Sequence, residues 1–290
     1  MTAIEAYAAP TTVKQAVELL AGGNATVFAG GTDLMIQTRV GAKAFDSLLL
    51  NLRRITEMRG ITRAGGVIRL GALTTVTDVL RDSELQQSVP ILPETADRFA
   101  CGQVRNNATI GGNICNASPA GDMIIPLLLL DADVELARWV EGEVTTRSVR
   151  LCDFFVGPGQ TEIHTTEILT AVVFPVPAAD FVAVFRKFGT RPSMDIAVVS
   201  VGVGGTLRCG ALSDSRVAFG AVAPVPLRGR ETEAAIEGQV LDAATIANAA
   251  ERSAEEVSPI SDVRASAWYR RELIRTLTGR LLQDVAQAGD

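Results

Sequence analysis

Two pairs of adjacent glycines restrict the fold of this chain more than any other feature. Gly30-Gly31 directly follows the apolar residues 26–29, and Gly111-Gly112 opens a polar stretch that ends at Asp122. Adjacent glycines allow positive φ and let backbone N–H groups approach an oxyanion with no Cβ in between. One pair alone is as consistent with an ordinary strand-to-helix turn. The two pairs together predict a backbone cradle for a phosphate-bearing ligand.

The composition indicates a globular protein of about two domains. With 290 residues and 47% hydrophobic content, the chain is long enough to bury a large core. The longest apolar stretch, residues 123–130, contains Pro126 and is far shorter than the roughly 20 residues that a membrane-spanning helix needs. Residues 1–9 lack the basic and apolar parts of a secretory signal. We therefore expect a cytoplasmic protein without a membrane span.

Charge and residue counts argue against several function classes. The net charge of −6 disfavours nucleic-acid binding, which needs a basic surface. The four cysteines are far apart and His164 is the only histidine, so we expect reduced thiols, no metal site and no histidine-dependent nucleophile. The stretch Gly202-Val203-Gly204-Gly205 has Leu207 where a Rossmann fingerprint has its third glycine, and it predicts a tight turn.

The first 59 residues predict a small parallel β/α unit. Residues 26–29 form a short buried strand, residues 34–40 a helix, and residues 47–52 a second strand. Thr32 or Asp33 is the expected cap of the helix. Backbone donors and a positive helix end should therefore meet at the first glycine pair.

From about residue 60 the pattern becomes antiparallel and mixed, and beyond Pro177 it indicates a separate domain. Thr77 is the predicted cap of a helix through residue 87. After the boundary, three strand-like segments precede three helical segments, which is the order of an α+β domain with its helices on one face of an antiparallel sheet. The predicted domains are residues 1–176, with subdomains of about 1–59 and 60–176, and residues 177–290.

The chemistry of the glycine loops indicates an extended dinucleotide. Neither loop contains Lys or Arg, so a diphosphate would be held chiefly by backbone N–H donors. Asp122 would repel phosphate and is better suited to accept hydrogen bonds from ribose or ribityl hydroxyls. Thr109 and Asn113 offer a hydroxyl and an amide, although the Asn113 side chain could equally stabilise the turn.

The same motifs resemble those of the medium, FAD-binding subunit of the molybdenum hydroxylase family, which includes xanthine, carbon monoxide and nicotinate dehydrogenases. Residues 29–34 resemble the first flavin motif of the family, and residues 109–113 with Ser118 and Asp122 resemble its second. The resemblance extends over nearly the whole chain, with further similarity at residues 99–106, 195–197, 220–226 and 268–271.

The resemblance implies a two-subdomain, vanillyl-alcohol-oxidase-like (PCMH-type) FAD-binding domain followed by a C-terminal α+β flavoprotein domain. FAD would bind non-covalently between the subdomains, because His164 matches no attachment position. Leu169 and Lys187 would lie near the isoalloxazine, with a core position and an exposed strand edge as their respective alternatives. The cofactor-binding residues implied by position are Val27, Phe28, Ala29, Gly30, Gly31, Thr32, Asp33, Leu34, Phe99, Thr109, Gly111, Gly112, Asn113, Asp122, Leu169 and Lys187.

The resemblance also implies an electron-transfer subunit of a heteromeric molybdenum hydroxylase, with no catalytic residue of its own. A large molybdopterin-binding subunit would oxidise the substrate, a small iron–sulfur subunit would pass electrons to FAD, and NAD, a quinone or oxygen would accept them, in a dimer of heterotrimers. One alternative is a stand-alone FAD-dependent oxidase or reductase, which would need acid–base residues over the flavin. Another is a non-catalytic nucleotide-binding or assembly protein.

Overall fold

The computed structural model describes residues 4–191 and 193–287, and its first subdomain is built on a parallel sheet. The strand order is β1-β3-β2, with Val27 opposite Leu50. The expected β/α unit is therefore present. Asp33 occupies the N-cap position of α2, but its side chain makes no capping hydrogen bond there. The elements are β1 (Ala6–Ala8), α1 (Val13–Leu20), β2 (Ala25–Phe28), α2 (Leu34–Arg39) and β3 (Leu48–Asn51).

The second subdomain surrounds a five-stranded antiparallel sheet of order β4-β5-β10-β6-β7. Strand β10 lies in the centre of this sheet. Almost every residue of its apolar run is buried, as expected of a strand that is covered on both faces. Its elements are β4 (Ile61–Ala64), β5 (Val67–Gly71), α3 (Val76–Arg81), α4 (Ser83–Ser88), α5 (Ile91–Asp97), α6 (Gly102–Arg105), α7 (Ile110–Cys115), α8 (Ile124–Leu129), β6 (Asp133–Val140), β7 (Glu143–Arg150), β8 (Phe155–Gly157), β9 (Gln160–Thr161) and β10 (Glu167–Pro175).

The helix for which Thr77 was the predicted cap is capped two residues earlier, by Thr75, and is divided in two. Thr75 and Asp78 form a reciprocal capping box at the start of α3. Asp82 then adopts an extended conformation and accepts a hydrogen bond from Leu85 N, so it ends α3 and caps α4. The prediction was wrong because a second capping residue competes with helix continuation at this point.

The C-terminal part of the chain, residues 181–287, contains an antiparallel sheet and three helices that pack against the sheet or against one another. The strand order is β11-β12-β13-β14, and β15 also pairs with β13. Helix α11 packs against α10, β12 and β11. The last of the three helical segments is predicted from the sequence at residues 266–288, and its expected end, Ala288, lies outside the described residues. The elements are β11 (Phe181–Phe188), β12 (Val199–Arg208), β13 (Ala211–Gly220), β14 (Leu227–Arg228), α9 (Arg230–Ile236), β15 (Gln239–Val240), α10 (Ala243–Glu256) and α11 (Ala267–Gln287).

The glycine-rich stretch at residues 202–205 lies inside β12 and is not the tight turn that its sequence suggested. A Cβ at Gly202 would lie 2.8 Å from Leu129 Cδ1 and 2.9 Å from Ile125 Cγ2. The glycine therefore lets the fully buried helix α8 lie directly against this sheet and join the two parts of the chain. Over residues 4–191 and 193–287, no helix is long and apolar enough to cross a membrane.

Candidate cofactor site

A cavity of about 440 Å³ lies between the two subdomains of the N-terminal part. Its walls are the loop after β2, the start of α7 and the segment that leads into β10. Phe28, Asp122 and Lys187 are not among its lining residues. The structure brings together around it the other predicted residues, which are Val27, Ala29, Gly30, Gly31, Thr32, Asp33, Leu34, Phe99, Thr109, Gly111, Gly112, Asn113 and Leu169.

The first glycine loop is held tightly by backbone and aromatic packing. Gly31 has φ of 71°, a left-handed conformation that most side chains disfavour. A Cβ at this position would overlap the ring of Phe28. Phe28 thus packs against the back of the loop, which explains why it does not line the cavity. A Cβ at Gly30 would overlap the carbonyl oxygen of Asn107, so the loop contacts the second subdomain at this point.

The first loop also carries unpaired backbone donors. Within the described part of the chain, the N–H groups of Gly30, Gly31 and Thr32 have no protein hydrogen-bond acceptor. All three residues line the cavity. Consecutive unpaired N–H groups are the donor set that binds an oxyanion or a diphosphate through the backbone. This loop therefore has the chemistry expected of a diphosphate cradle.

The second glycine pair is different, because its N–H groups are already paired within the protein. Gly111 N donates to Ala72 O at 2.9 Å and Gly112 N donates to Thr109 Oγ1 at 3.0 Å. Gly111 lies in α7 and lacks the positive φ that we expected of a glycine loop. A Cβ on Gly111 would lie 2.7 Å from Ala72 Cβ. This glycine therefore serves the close packing of α7 on the strand end.

Asn113 is a polar residue of the second loop that lines the cavity. Its backbone N–H donates to Thr109 O at 2.9 Å, and its side chain is partly buried. Among the described residues, no partner is found for its buried Oδ1 atom. A buried, unsatisfied amide oxygen in a cavity wall costs free energy unless a ligand or water donates to it. This observation favours the ligand-binding interpretation of Asn113 over the turn-stabilising one.

The third wall contains a buried carboxylate that the sequence analysis missed. Glu167 accepts from Arg147 Nε at 2.7 Å, from Arg147 Nη2 at 2.8 Å and from His164 N at 2.9 Å. Burial alone would raise the pKa of Glu167, but Arg147 and the His164 backbone hold that pKa below its usual range. The bidentate pair fixes the turn that places His164 and Thr165 in the cavity wall.

Leu169 occupies the core position that was expected as one of its two roles, whereas its contact with the isoalloxazine stays a prediction. It is buried in β10, only 4% exposed, and it also lines the cavity. The pairing of β10 with β6 shifts register between Leu169 and Ala171, and such irregularities re-aim side chains beside binding sites. Phe99 lines the same cavity. Apolar contacts of this kind fit a flat ring of the ligand.

Two further residues of the cavity wall, Asp33 and Cys115, have raised pKa values. Asp33 is exposed but partly enclosed by its neighbours, and this partial desolvation raises the pKa of its carboxyl group beside the N–H cradle. Cys115 is exposed and lines the cavity, where desolvation by the surrounding wall raises the pKa of its thiol to about 12, against a lowering influence of Lys43, so the thiol stays protonated at neutral pH. Cys115 and Lys43 were missed because their place in the wall follows from tertiary packing.

Asp122 and Lys187 pair with each other at the boundary between the two domains. Lys187 Nζ lies 2.6 Å from Asp122 Oδ2, and both side chains are only 9% exposed. Burial raises the pKa of Asp122, while the charge and hydrogen bond of Lys187 lower it. The alternative of an exposed strand-edge lysine is therefore wrong.

Comparison with known protein families agrees with this geometry. A family model described as the FAD binding domain in molybdopterin dehydrogenase matches residues 2–177. The chain belongs to this family. A second model, the CO dehydrogenase flavoprotein C-terminal domain, matches residues 183–285.

Individual relatives span nearly the whole chain. The xanthine dehydrogenase FAD-binding subunit of Escherichia coli O157:H7 is 34% identical, over 98% of this chain and 97% of its own length. The glyceraldehyde dehydrogenase medium chain of Sulfolobus acidocaldarius is 31% identical, over 97% and 98%. The solved structure of carbon monoxide dehydrogenase from Hydrogenophaga pseudoflava superimposes with a TM-score of 0.93 at 28% identity, covering 100% of this chain and 99% of that one. The predicted fold class is thereby confirmed, and the chain is an FAD-binding medium subunit of the molybdenum hydroxylase type.

Proposed function

We propose that this subunit carries electrons from iron–sulfur centres of a partner chain to an external acceptor, through FAD bound in the cavity between the subdomains. The observation that carries the proposal is the run of unpaired backbone N–H groups at residues 30–32 in the wall of that cavity. In a chain with no Lys or Arg in either glycine loop, these donors are the main means of holding a diphosphate.

The cavity offers groups that fit the remaining parts of FAD. The orphaned Asn113 Oδ1 can accept a hydrogen bond from a ligand hydroxyl or amine, and Phe99 and Leu169 supply apolar contact. Bound FAD supplies the exchange of electrons between one-electron and two-electron partners. The predicted cofactor residues and the domain ranges 1–176 and 177–290 are part of this proposal.

The cavity wall favours cofactor binding over acid–base catalysis. Glu167 is locked in its pair with Arg147, and the Cys115 thiol stays protonated. A stand-alone oxidase needs a proton acceptor free to act on its substrate. As the family resemblance implies, we propose that an organic substrate is oxidised by a different chain.

We propose the partners that the family resemblance implies. These are a large molybdopterin-binding subunit and a small iron–sulfur subunit, in a cytoplasmic dimer of heterotrimers with NAD, a quinone or oxygen as acceptor. The names of the relatives support the assignment, because they describe subunits or medium chains of dehydrogenases. Helix α2 gives further support, because it buries none of its residues and exposes Met35 and Ile36, and Val40 directly after it is also exposed, as is typical of a subunit interface.

An anaerobic reduction assay tests the proposal. The isolated subunit, loaded with FAD, is mixed with xanthine, nicotinate or glyceraldehyde, and the visible flavin band is followed with and without the large and small chains. We expect bleaching only in the complex. Bleaching of the isolated subunit at the rate of the complex would favour the stand-alone enzyme. A colourless subunit that binds no FAD would favour the non-catalytic alternative. Reduction of the isolated subunit by NADH would identify NAD as the acceptor.

A further inference from the structure

Lys43 is the only lysine or arginine in the wall of the cavity, over the part of the chain that the structure describes. The same wall contains the carboxyl groups of Asp33, Asp46 and Glu167. Glu167 is already paired with Arg147, but a diphosphate bound in this cavity would still meet acidic neighbours, and like charges at short range repel. The wall therefore needs a positive group to hold an anion, and Lys43 carries that charge.

The side chain of Lys43 is free to bind a ligand. The other lysines of the chain have carboxylate partners, because Lys14 lies 3.9 Å from Glu18 and Lys187 lies 2.6 Å from Asp122. Lys43 is exposed, and its ammonium group makes no hydrogen bond or ion pair with the residues in the ranges 4–191 and 193–287. An ammonium group offers three donors and a full positive charge. An anionic ligand is the partner that this group lacks.

The turn that carries Lys43 is fixed to both subdomains. The backbone N–H groups of Ala42 and Lys43 donate to Gln37 O at 2.9 and 3.2 Å, so the turn folds back on helix α2. The Gln37 side chain in turn donates from Nε2 to Asn116 Oδ1 at 2.8 Å, which links α2 to the end of α7. Gln37 and Asn116 both line the cavity. These bonds hold Lys43 at the cavity from a position outside either glycine loop.

The ammonium group of Lys43 lies close to α7. Its charge lowers the pKa of the Cys115 thiol, against the larger effect of desolvation, and only a nearby charge has such an influence. Cys115 is the last residue of α7, the helix whose start forms another wall of the cavity. Lys43 thus adds a positive charge to a cavity in which the first loop presents its unpaired N–H groups.

We propose that Lys43 binds the diphosphate of FAD together with the backbone N–H groups of residues 30–32. The inference rests on the proposed function, since it needs FAD as the ligand. It adds that one side chain outside both glycine loops favours ligands that contain a diphosphate. Because the attraction between an exposed ammonium group and an anion is screened by salt, this part of the affinity should fall as the ionic strength rises.

Arg39 provides a matched control. It lies at the end of α2, four residues before Lys43, and it is likewise exposed. It does not line the cavity. Replacing Arg39 by methionine removes one positive charge from the same segment and leaves the charge of the cavity wall unchanged.

The test measures the dissociation constants of FAD, riboflavin, ADP and adenosine for the full-length apoprotein at about 0.01 M and about 1 M salt. At low salt we expect Lys43→Met to weaken FAD and ADP binding roughly fivefold, as for an exposed charge pair. Riboflavin and adenosine, which lack phosphate, should bind as to the wild type. The loss should largely disappear at high salt. Lys43→Arg should keep most of the affinity, and Arg39→Met should change none of the constants.

The contrary results are distinguishable from one another. A wild-type chain that binds no FAD contradicts the proposed function itself. If the wild type binds FAD and Lys43→Met keeps its affinity for FAD and ADP at low salt, the role of Lys43 is overturned. An equal loss for riboflavin and adenosine would show general damage to the cavity, and an equal loss in Arg39→Met would show an unspecific effect of net charge. Either result would also overturn the proposal. If Lys43→Met does not fold, Lys43→Gln, which also removes the charge, takes its place.

Discussion

The Gly30-Gly31 loop leaves its backbone N–H groups unpaired within the described residues, whereas the Gly111-Gly112 loop donates both of its N–H groups to protein acceptors. The first loop needs glycine for a left-handed turn and for close approach of Asn107. The second needs it because Ala72 lies directly against α7. Two motifs that look equivalent in sequence thus differ in whether their donors are available to a ligand.

The difference separates binding from packing. Substitutions in the first loop should act on both FAD affinity and stability, because that loop presents free donors and touches the second subdomain. Substitutions of Gly111 should act first on stability, because they disturb the contact with Ala72. Each of the following substitutions tests whether the first loop serves FAD binding and the second serves packing, or measures how large this difference is.

We expect the largest effect from Gly30→Ala. The new Cβ overlaps the backbone carbonyl of Asn107, which no side-chain movement can relieve. Loss of FAD retention and a destabilisation of about 3 kcal/mol should follow, as for severe overpacking. Absorbance of the purified protein and urea unfolding measure the two quantities. Gly102→Ala is the control, since nothing lies within 4 Å of its Cβ position. Full flavin occupancy in Gly30→Ala would contradict the described loop.

Gly111→Ala should be the next most severe change. Its Cβ would lie 2.7 Å from Ala72 Cβ and 2.9 Å from Ala72 O, and we expect a loss of roughly 2 kcal/mol in unfolding free energy. Adding Ala72→Gly removes the closer contact and should restore part of the stability. A loss of FAD affinity at unchanged stability, with no recovery in the double variant, would instead assign Gly111 to the ligand and remove the distinction between the loops.

Gly31→Ala separates backbone strain from collision. The φ of 71° should cost about 1 kcal/mol, and contact with the Phe28 ring adds to it. Gly41→Ala is the matched control, because Gly41 has φ of 76° but nothing within 4 Å of its Cβ position. The difference between the two unfolding free energies measures the contact alone. Equal losses would show that the Phe28 ring moves aside and does not support the loop.

The sequence predicted the elements whose signals are local. The first strand-like segment after Pro177 is predicted from its apolar run at residues 181–188, and β11 has these limits. The short run before Gly30 was also correctly assigned to a strand, because apolar runs and flanking turn residues are local signals. Residues 202–205 were misassigned because their glycines are required by tertiary contacts that are distant in sequence. Gly202 packs against helix α8, and Gly204 and Gly205 pack against the neighbouring strands β11 and β13. The pairing of Asp122 with Lys187 could not be predicted either, since the two residues are 65 positions apart.

The N-cap residues of α7 and α2, the helices beside the two glycine loops, should have smaller effects on stability. Thr109 Oγ1 accepts from Gly112 N at 3.0 Å and thus caps α7. Removing such a cap typically costs about 1 kcal/mol, and we expect this loss for Thr109→Ala in urea unfolding of the apoprotein. Thr109→Ser, which keeps the hydroxyl, should retain most of the stability. A Thr109→Ala variant as stable as the wild type would show that the cap contributes nothing measurable.

Asp33→Asn should give the smallest effect, and one of opposite sign. The Asp33 side chain makes no capping hydrogen bond, and partial desolvation of this exposed residue raises its pKa, so the folded state holds the proton more readily than the unfolded chain does. A raised pKa contributes stability at pH values below the usual range of the group, and this contribution is lost as the pH rises through the folded-state value. Relative to Asp33→Asn, the wild-type apoprotein should therefore lose stability between about pH 4 and pH 7. Urea unfolding at both pH values measures this change, and a wild type that gains stability relative to the variant over the same interval would show that Asp33 is held as a carboxylate by donors of the first loop.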